Sequence, residues 1–242
     1  MHESPFQFKQ FTIQQDKCAM KVGTDGVLLG AWVQTRDAKK ILDIGTGTGL
    51  IALMLAQKSN ARIDAIDIDS SAYEQAIENF RNSLWQNRVK VFHSSIQQFS
   101  KTTVLKYDLI VSNPPFFEDA FKAGSEARNI ARHTDETLSF DDLISCVKNL
   151  LKSEGSFCVI LPFKEGNNFI DKAASSGLFI QRLTRVKTKI EKHEKRLLIE
   201  FGLQQIPAVE NDMVIQEEDL SFTKEYIELT KDYYLGLKNP VA

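Results

Sequence analysis

From Lys40 onward, short apolar runs rich in β-branched residues alternate with segments of helical period. The runs Ile41–Ile44, Arg62–Ile66, Val89–Phe92, Tyr107–Ser112, Ser156–Leu161, Phe179–Lys187 and Arg196–Leu203 predict strands, and helices are expected to begin near Gly49, Ser70, Phe140 and Asn167. Over Ser70–Leu84, the residues Tyr73, Ala76, Ile77, Phe80 and Leu84 share one face of a helix. Ser139 with Asp142 three residues on reads as a capping box for a helix running to Leu151, and Gly177 stands where a helix should end. Strands separated by helices require crossovers, so the sheet is expected to be mostly parallel. Only a charged stretch joins the last two runs, which predicts an antiparallel pair at one edge. This core, residues 26–206, is preceded by an arm, 1–25, and followed by a tail, 207–242, whose portion 220–237 is expected to be helical and packed on the core. The arm leads through a turn at Gly23 into a core-facing helix carrying Val27, Leu28 and Leu29.

Composition narrows the class of function without naming one. The 242 residues fit one large domain with appendages, and 43% apolar with 26% charged residues is ordinary for a globular protein. A net charge of -2 excludes a histone-like nucleic-acid binder but leaves room for an enzyme with one local basic face. Cys18, Cys146 and Cys158 lack metal-ligand spacing, and His2, His93, His133 and His193 lie far apart, so no metal is expected. The amino terminus has no basic-then-apolar layout and no run reaches spanning length. A cytoplasmic protein with no membrane and no obligatory protein partner is the expectation.

The first chemical signal is ILDIGTGTGLIALMLA, residues 41–56, a strand followed by glycines and a helix. Gly45, Gly47 and Gly49 let backbone approach a ligand, and the helix start offers free N–H groups. The dinucleotide fingerprint needs glycine where this chain has Leu50, which disfavours a nicotinamide dehydrogenase. Asp43 would repel a pyrophosphate but suits a cationic amine. Asp67 ends the next strand, where a carboxylate can accept both ribose hydroxyls, and Asp69 suits a helix cap. Any α/β sheet with a tight turn and a solvated acid would share these features singly. Together they describe a ligand with an adenosine, a cationic amine and no pyrophosphate, which is S-adenosylmethionine. The pattern resembles the class I methyltransferases, and that resemblance implies a Rossmann-like seven-stranded sheet, last strand antiparallel, with helices on both faces. In that family a residue after the third strand, frequently an aspartate, contacts the adenine; this chain departs from that and offers Ser95 and Ile96 there, with Thr46 and Ile68 as further candidate cofactor neighbours.

The second signal is VSNPPFF, residues 111–117, at the end of the fourth strand run. Proline removes N–H donors and restricts the residue before it, so Asn113 and Pro114 are both restrained. An exocyclic amine on a base is a poor nucleophile because its lone pair is delocalised. Two acceptors holding its hydrogens, the Asn113 side-chain oxygen and the Pro114 carbonyl, would favour a pyramidal nitrogen, while Phe116 stacks on the base. A stacked base must first be flipped out to reach such a pocket. The bland reading is a proline-stiffened loop with core aromatics. The string resembles [DNS]-P-P-[FYW] of amino-methyltransferases, and by that likeness Asn113, Pro114, Pro115 and Phe116 form the catalytic loop, with Asn113 also near the cofactor.

FKQFTIQQDKCAMKVGTDGVLLGAW, residues 8–32, resembles the start of the bacterial tRNA(Val) adenine-N6 methyltransferases, and the likeness continues through ARHT, 131–134, and YIELTKDYYL. It implies tRNA as substrate, methylated at the adenosine beside the anticodon, and Lys21, Gly23, Thr24 and Asp25 as neighbours of the methionine end of the cofactor. Arg128 and Arg132 are candidate phosphate contacts, with a solvated loop as the alternative. Arg185, Lys187 and Lys189 alternate and so share one strand face; with Lys192, Lys195 and Arg196 they can meet RNA phosphates or simply protect a sheet edge. A ribosomal guanine-N2 methyltransferase, a glutamine methyltransferase (usually with tyrosine in place of Phe116) and a non-catalytic cofactor- or RNA-binding module remain as alternatives.

Overall fold

A computed structural model describes residues 4–115 and 138–236 of the chain. Phe116, Arg128, Arg132 and the ARHT string lie outside the described residues. The described elements are β1 (Phe6–Gln7), β2 (Thr12–Ile13), α1 (Thr24–Trp32), β3 (Lys40–Ile44), α2 (Leu50–Lys58), β4 (Arg62–Asp67), α3 (Ser70–Arg81), β5 (Val89–His93), α4 (Ile96–Thr102) and β6 (Tyr107–Ser112). After the gap come α5 (Phe140–Leu150), β7 (Leu151–Pro162), α6 (Phe163–Ser175), β8 (Phe179–Lys187), β9 (Glu194–Gly202), β10 (Val209–Val214) and α7 (Lys224–Thr230).

The main sheet runs β10-β8-β9-β7-β6-β3-β4-β5. From β7 to β5 all neighbours are parallel, and β9 is inserted antiparallel between β7 and β8. The parallel core and the antiparallel pair thus follow the sequence pattern. The number of strands does not: β10 adds an eighth, parallel to β8, from the segment the sequence assigned to the tail. Its residues VENDMV bury only Met213, so neither alternation nor hydrophobicity marks it as a strand. It pairs because β8 offers an open ladder.

Successive residues of a strand face opposite sides. Ile41 of β3 joins a core layer with α1, α2, the arm and the tail, while Leu42 and Ile44 join the other layer with α5 and α6. Several local expectations hold: Ser139 caps α5 by accepting from the Asp142 N–H, Asp69 caps α3 by accepting from the Ala72 N–H, and Gly177 has φ +77 after α6. Others shift. Leu84 falls beyond α3 and is 77% exposed, and the buried face of α3 is Ala72, Gln75, Ala76, Asn79 and Phe80. β7 begins at Leu151 directly after α5, α6 begins at Phe163, α4 was not anticipated, and α7 covers only Lys224–Thr230.

The arm and tail meet. The arm hairpin places Phe8 stacked on Phe11 at 4.7 Å and on Tyr234 at 5.9 Å between ring centroids. The Lys9 N–H donates to the Tyr233 carbonyl at 2.8 Å. Phe8, Phe11, Ile13, Tyr226 and Tyr233 are all buried in the same layer as α1 and α2. A boundary at residue 25 passes through the first turn of α1.

Candidate active site

At the carboxyl ends of β3, β4 and β6, next to the point where the strand order reverses, a cavity of about 600 Å3 opens. Its wall brings together Gly45, Thr46 and Gly47 after β3, Asp67 at the end of β4 with Ile68 after it, Ser95 and Ile96 after β5, and Asn113, Pro114 and Pro115 after β6. Lys21, Gly23, Thr24 and Asp25 close it from the arm and the start of α1. Residues far apart in the chain are gathered because parallel strands present all their carboxyl ends on one side of the sheet.

The loop after β3 turns through left-handed backbone. Gly45 has φ +70, and a Cβ built there would meet no atom within 4 Å, so its bare face is free for a ligand. Gly49, with φ +84, differs: a Cβ would lie 2.4 Å from Phe80 Cε1, so this glycine seats α2 on α3. Gly49 is not part of the cavity wall. The Gly47 N–H donates to Asp67 Oδ2 at 2.8 Å and the Asp69 N–H to Oδ1 at 3.0 Å. Each carboxylate oxygen can accept more than one hydrogen bond, so Asp67 keeps capacity for a diol. Burial raises the Asp67 pKa, and the N–H groups of Asp69 and Gly47 pull it back.

Asp43 is placed differently from the sequence expectation. It shares the face of Ile41, turned toward α2, is fully buried and does not line the cavity. Its Oδ2 accepts from the Thr46 hydroxyl at 2.7 Å, and Oδ1 has no hydrogen-bond partner among the described residues. Burial pushes its pKa up to about 7, against the pull of the Thr46 hydroxyl and of the Ala52 backbone N–H. Asp43 therefore braces the glycine loop from behind, through the Thr46 hydroxyl.

Two buried amides of α3, which hydropathy alone does not select, hold the arm over the cavity. Asn79 accepts from the Gln14 N–H at 2.8 Å and donates to the Gln14 carbonyl at 2.9 Å and the Thr48 carbonyl at 2.8 Å. Gln75 accepts from the Lys17 N–H at 2.8 Å. One turn apart on the face beside Ala76 and Phe80, they carried a signal: polar residues at helical spacing next to an apolar stripe. Within the arm, Lys21 donates to the Gln15 carbonyl at 2.6 Å and the Val22 N–H to Gln15 Oε1 at 3.0 Å. Asp25 is ion-paired with Arg196 of β9 at 2.8 Å.

The catalytic-loop candidates sit at the end of β6. Ser112, fully buried, donates to the Ile44 carbonyl at 3.0 Å and so locks the ends of β6 and β3 together. Beyond it Asn113 is half-buried, Pro114 buried and Pro115 exposed. Ser95 both lines the cavity and caps α4, accepting from the Gln98 N–H at 3.2 Å.

The basic strand does not join this wall. Arg185 is ion-paired with Glu210 of β10 at 2.5 Å, Lys187 with Glu194 at 3.3 Å, and Lys189 donates to the Glu218 carbonyl at 3.1 Å. Because β10 covers β8, the edge-protection reading of these cations loses its edge. From the same sequence stretch, Lys195 reaches the cavity.

Comparison with known proteins accords with this geometry. The family model described as Methyltransferase small domain matches residues 18–162, the span holding most of the cavity wall. A protein of Trichodesmium erythraeum (strain IMS101) named tRNA1(Val) (adenine(37)-N6)-methyltransferase is 50% identical over 238 residues, spanning 97% of this chain and 99% of the relative. One of the same name from Parabacteroides distasonis is 47% identical over 233 residues, spanning 96% and 98%. Among solved structures, a predicted O-methyltransferase, protein Atu636 from Agrobacterium tumefaciens, has a TM-score of 0.67 at 16% identity, covering 90% of this chain and 100% of that one. The glycopeptide N-methyltransferase MtfA, solved with S-adenosyl-L-methionine, has a TM-score of 0.54 at 11% identity, covering 76% and 100%. These structural likenesses bear on the fold alone. With sequence identity near one half running through arm, core and tail, the chain belongs to the methyltransferase small-domain family and groups with the proteins named tRNA1(Val) (adenine(37)-N6)-methyltransferase.

Proposed function

We propose that this protein is an S-adenosylmethionine-dependent RNA methyltransferase acting on the exocyclic N6 amine of the adenosine beside the anticodon of a tRNA, valine tRNA by its relatives. The observation that carries the reading is the single cavity joining the Gly45–Gly47 loop and Asp67 to Asn113–Pro115. The residues present fit the methyl donor: the open face of Gly45 admits close approach, Asp67 retains acceptor capacity for a ribose diol, and Ile68 with Ile96 supplies apolar wall near Ser95. Thr46, Lys21, Gly23, Thr24 and Asp25 complete the donor's surroundings, the arm covering its far end. When bound, the donor supplies an electrophilic methyl group on a sulfonium.

The chain's own work is on the amine. The Asn113 side-chain oxygen and the Pro114 carbonyl accept the two N–H bonds, which localises the nitrogen lone pair and directs it toward the methyl. Phe116 stacks on the flipped base, a contact worth about 1–3 kcal/mol. Arg128, Arg132, Arg185, Lys187 and Lys189 are proposed phosphate contacts, with Arg185 and Lys187 the weaker members, since Glu210 and Glu194 already pair with them. A tRNA-modifying role implies a cytoplasmic setting, and no helix among the described residues is long and apolar enough to cross a membrane.

The test is methyl transfer to total tRNA followed by nucleoside analysis, for the wild type and Asn113→Ala. The wild type is expected to yield N6-methyladenosine. The variant is expected to lose roughly 100-fold or more in turnover while binding S-adenosylmethionine within a few fold of wild type. Methyl on guanine or on protein overturns the substrate, and near-normal turnover by the variant overturns the amine-holding role.

A further inference from the structure

Resting on that RNA-methylating reading, we propose that Phe163 and Lys195 form a platform beside the catalytic loop for a nucleotide flanking the target. The ring stacks on that nucleotide's base and the ammonium meets its phosphate.

The sheet register places the pair. Ser112 of β6 is the partner of Val159 on β7, and Pro162 of β7 is the partner of Arg196 on β9. The end of β7 therefore lies between the Asn113–Pro115 loop on one side and the start of β9 on the other. Phe163 opens α6 directly after Pro162, and Lys195 directly precedes Arg196 on β9, so the two residues adjoin the last pair of this ladder. Neighbouring strands are about 5 Å apart, so the backbone end of β7 from which α6 starts lies about one strand spacing from the ends of β6 and of the β9 ladder. Lys195 itself lines the cavity that holds Asn113 and Pro114.

The two side chains are unlike their neighbours. Phe169, six residues later on α6, is fully buried and packs edge-on to Phe140 at 5.0 Å, whereas Phe163 is 37% exposed. Arg196 is bound by Asp25 at 2.8 Å, and Lys187 by Glu194 at 3.3 Å, while Lys195 is exposed at the cavity mouth. The turn from β8 to β9 brings Lys189 and Lys192 to the same end of the sheet, because β8 runs parallel to β10 and antiparallel to β9, as β7 does. Over residues 182–196 seven Lys and Arg face two Glu, in a chain of net charge -2, so this surface complements a polyanion.

An exposed ring interleaved with cations is the chemistry of single-stranded nucleic acid, where bases stack on aromatics and phosphates meet ammonium groups. Extracting the target base leaves its neighbour without a stacking partner. An exposed ring at the start of α6, on the strand next to the one that carries the receiving loop, can replace it.

The experiment uses the full chain with Phe163→Ala, Phe163→Tyr and Lys195→Ala in steady-state tRNA methylation across about 50–200 mM salt, with S-adenosylmethionine affinity and Tm measured alongside. Phe163→Ala is expected to raise KM for tRNA roughly 5- to 100-fold, with kcat, donor affinity, Tm and salt slope unchanged, and Phe163→Tyr to restore it. Lys195→Ala is expected to weaken RNA binding and reduce the salt slope by about 0.7–0.9. A wild-type KM in Phe163→Ala, a failure of tyrosine to rescue, or a salt slope untouched by Lys195→Ala overturns the platform while leaving the methylation reading standing. A wild-type protein that methylates no tRNA overturns both.

Discussion

At the scale of single residues, Asp43 shows what the alternation of a strand does to one side chain. Position alone put it at a strand end facing a cationic ligand. The alternation of β3, with Ile41 in the layer of α1 and α2, turns it instead beneath the glycine loop. There it is fully buried, with one oxygen held by Thr46 at 2.7 Å and the other without a partner among the described residues. Its folded-state pKa is raised to about 7 from a reference of 3.8. A raised pKa means the protonated form is favoured on folding. The associated stability is fully present below the reference value and is lost as pH rises through about 7. Asp43→Asn, which cannot ionise, is therefore expected to flatten the fall in Tm between about pH 5 and pH 8. Melting curves for both proteins that stay parallel over that range would contradict it.

At the scale of elements, α3 matters more than its hydropathy suggests. Its helical period was legible over residues 70–84, three past its observed end at Arg81, and its cap at Asp69 was legible too. Ala76 and Phe80 of its buried face were legible as well, but Gln75 and Asn79 were not, because amides read as surface residues until their partners on another segment are known. The Asn79 amide joins α3 to Gln14 of the arm and to Thr48 of the glycine loop with three hydrogen bonds of 2.8 to 2.9 Å. Removing it leaves buried backbone groups unpaired, at a cost of about 1–3 kcal/mol each. Asn79→Ala is expected to lower stability by roughly 2–4 kcal/mol and to speed amide exchange selectively in residues 12–20. Uniform exchange changes across the chain would show that the amide does not anchor the arm. Strand β10 makes the same point in reverse. Its polar sequence gives no period, and it exists because β8 needs a partner and Thr184 can donate to Asn211 at 2.7 Å.

At the scale of the whole molecule, arm and tail close on each other over the back of α1 and α2. Tyr233 is 3% exposed, and its hydroxyl donates to the Met54 carbonyl at 3.2 Å while its backbone carbonyl accepts from Lys9. One residue thus joins both chain ends to α2, the helix that follows the glycine loop. Tyr233→Ala is expected to cost about 3–5 kcal/mol in denaturant unfolding; a loss under about 1 kcal/mol would mean the tail merely rests on the surface.

The sequence by itself determined the alternation of strands and helices, the antiparallel pair of β8 and β9, the caps at Ser139 and Asp69, and the position of the glycine loop and the Asn-Pro-Pro loop at strand ends. These are local properties: a period, a turn or a cap is written within a few residues. Only the tertiary structure decided that Asp43 faces α2, that Arg185 is neutralised by an eighth strand, that Asn79 ties the arm to the site, and that Lys195 reaches the cavity. Each of these depends on which residue lies across a strand register or a helix face from another, and partners 25 to 171 residues apart, as Arg185–Glu210 and Asp25–Arg196 are, leave no mark in either one's neighbourhood.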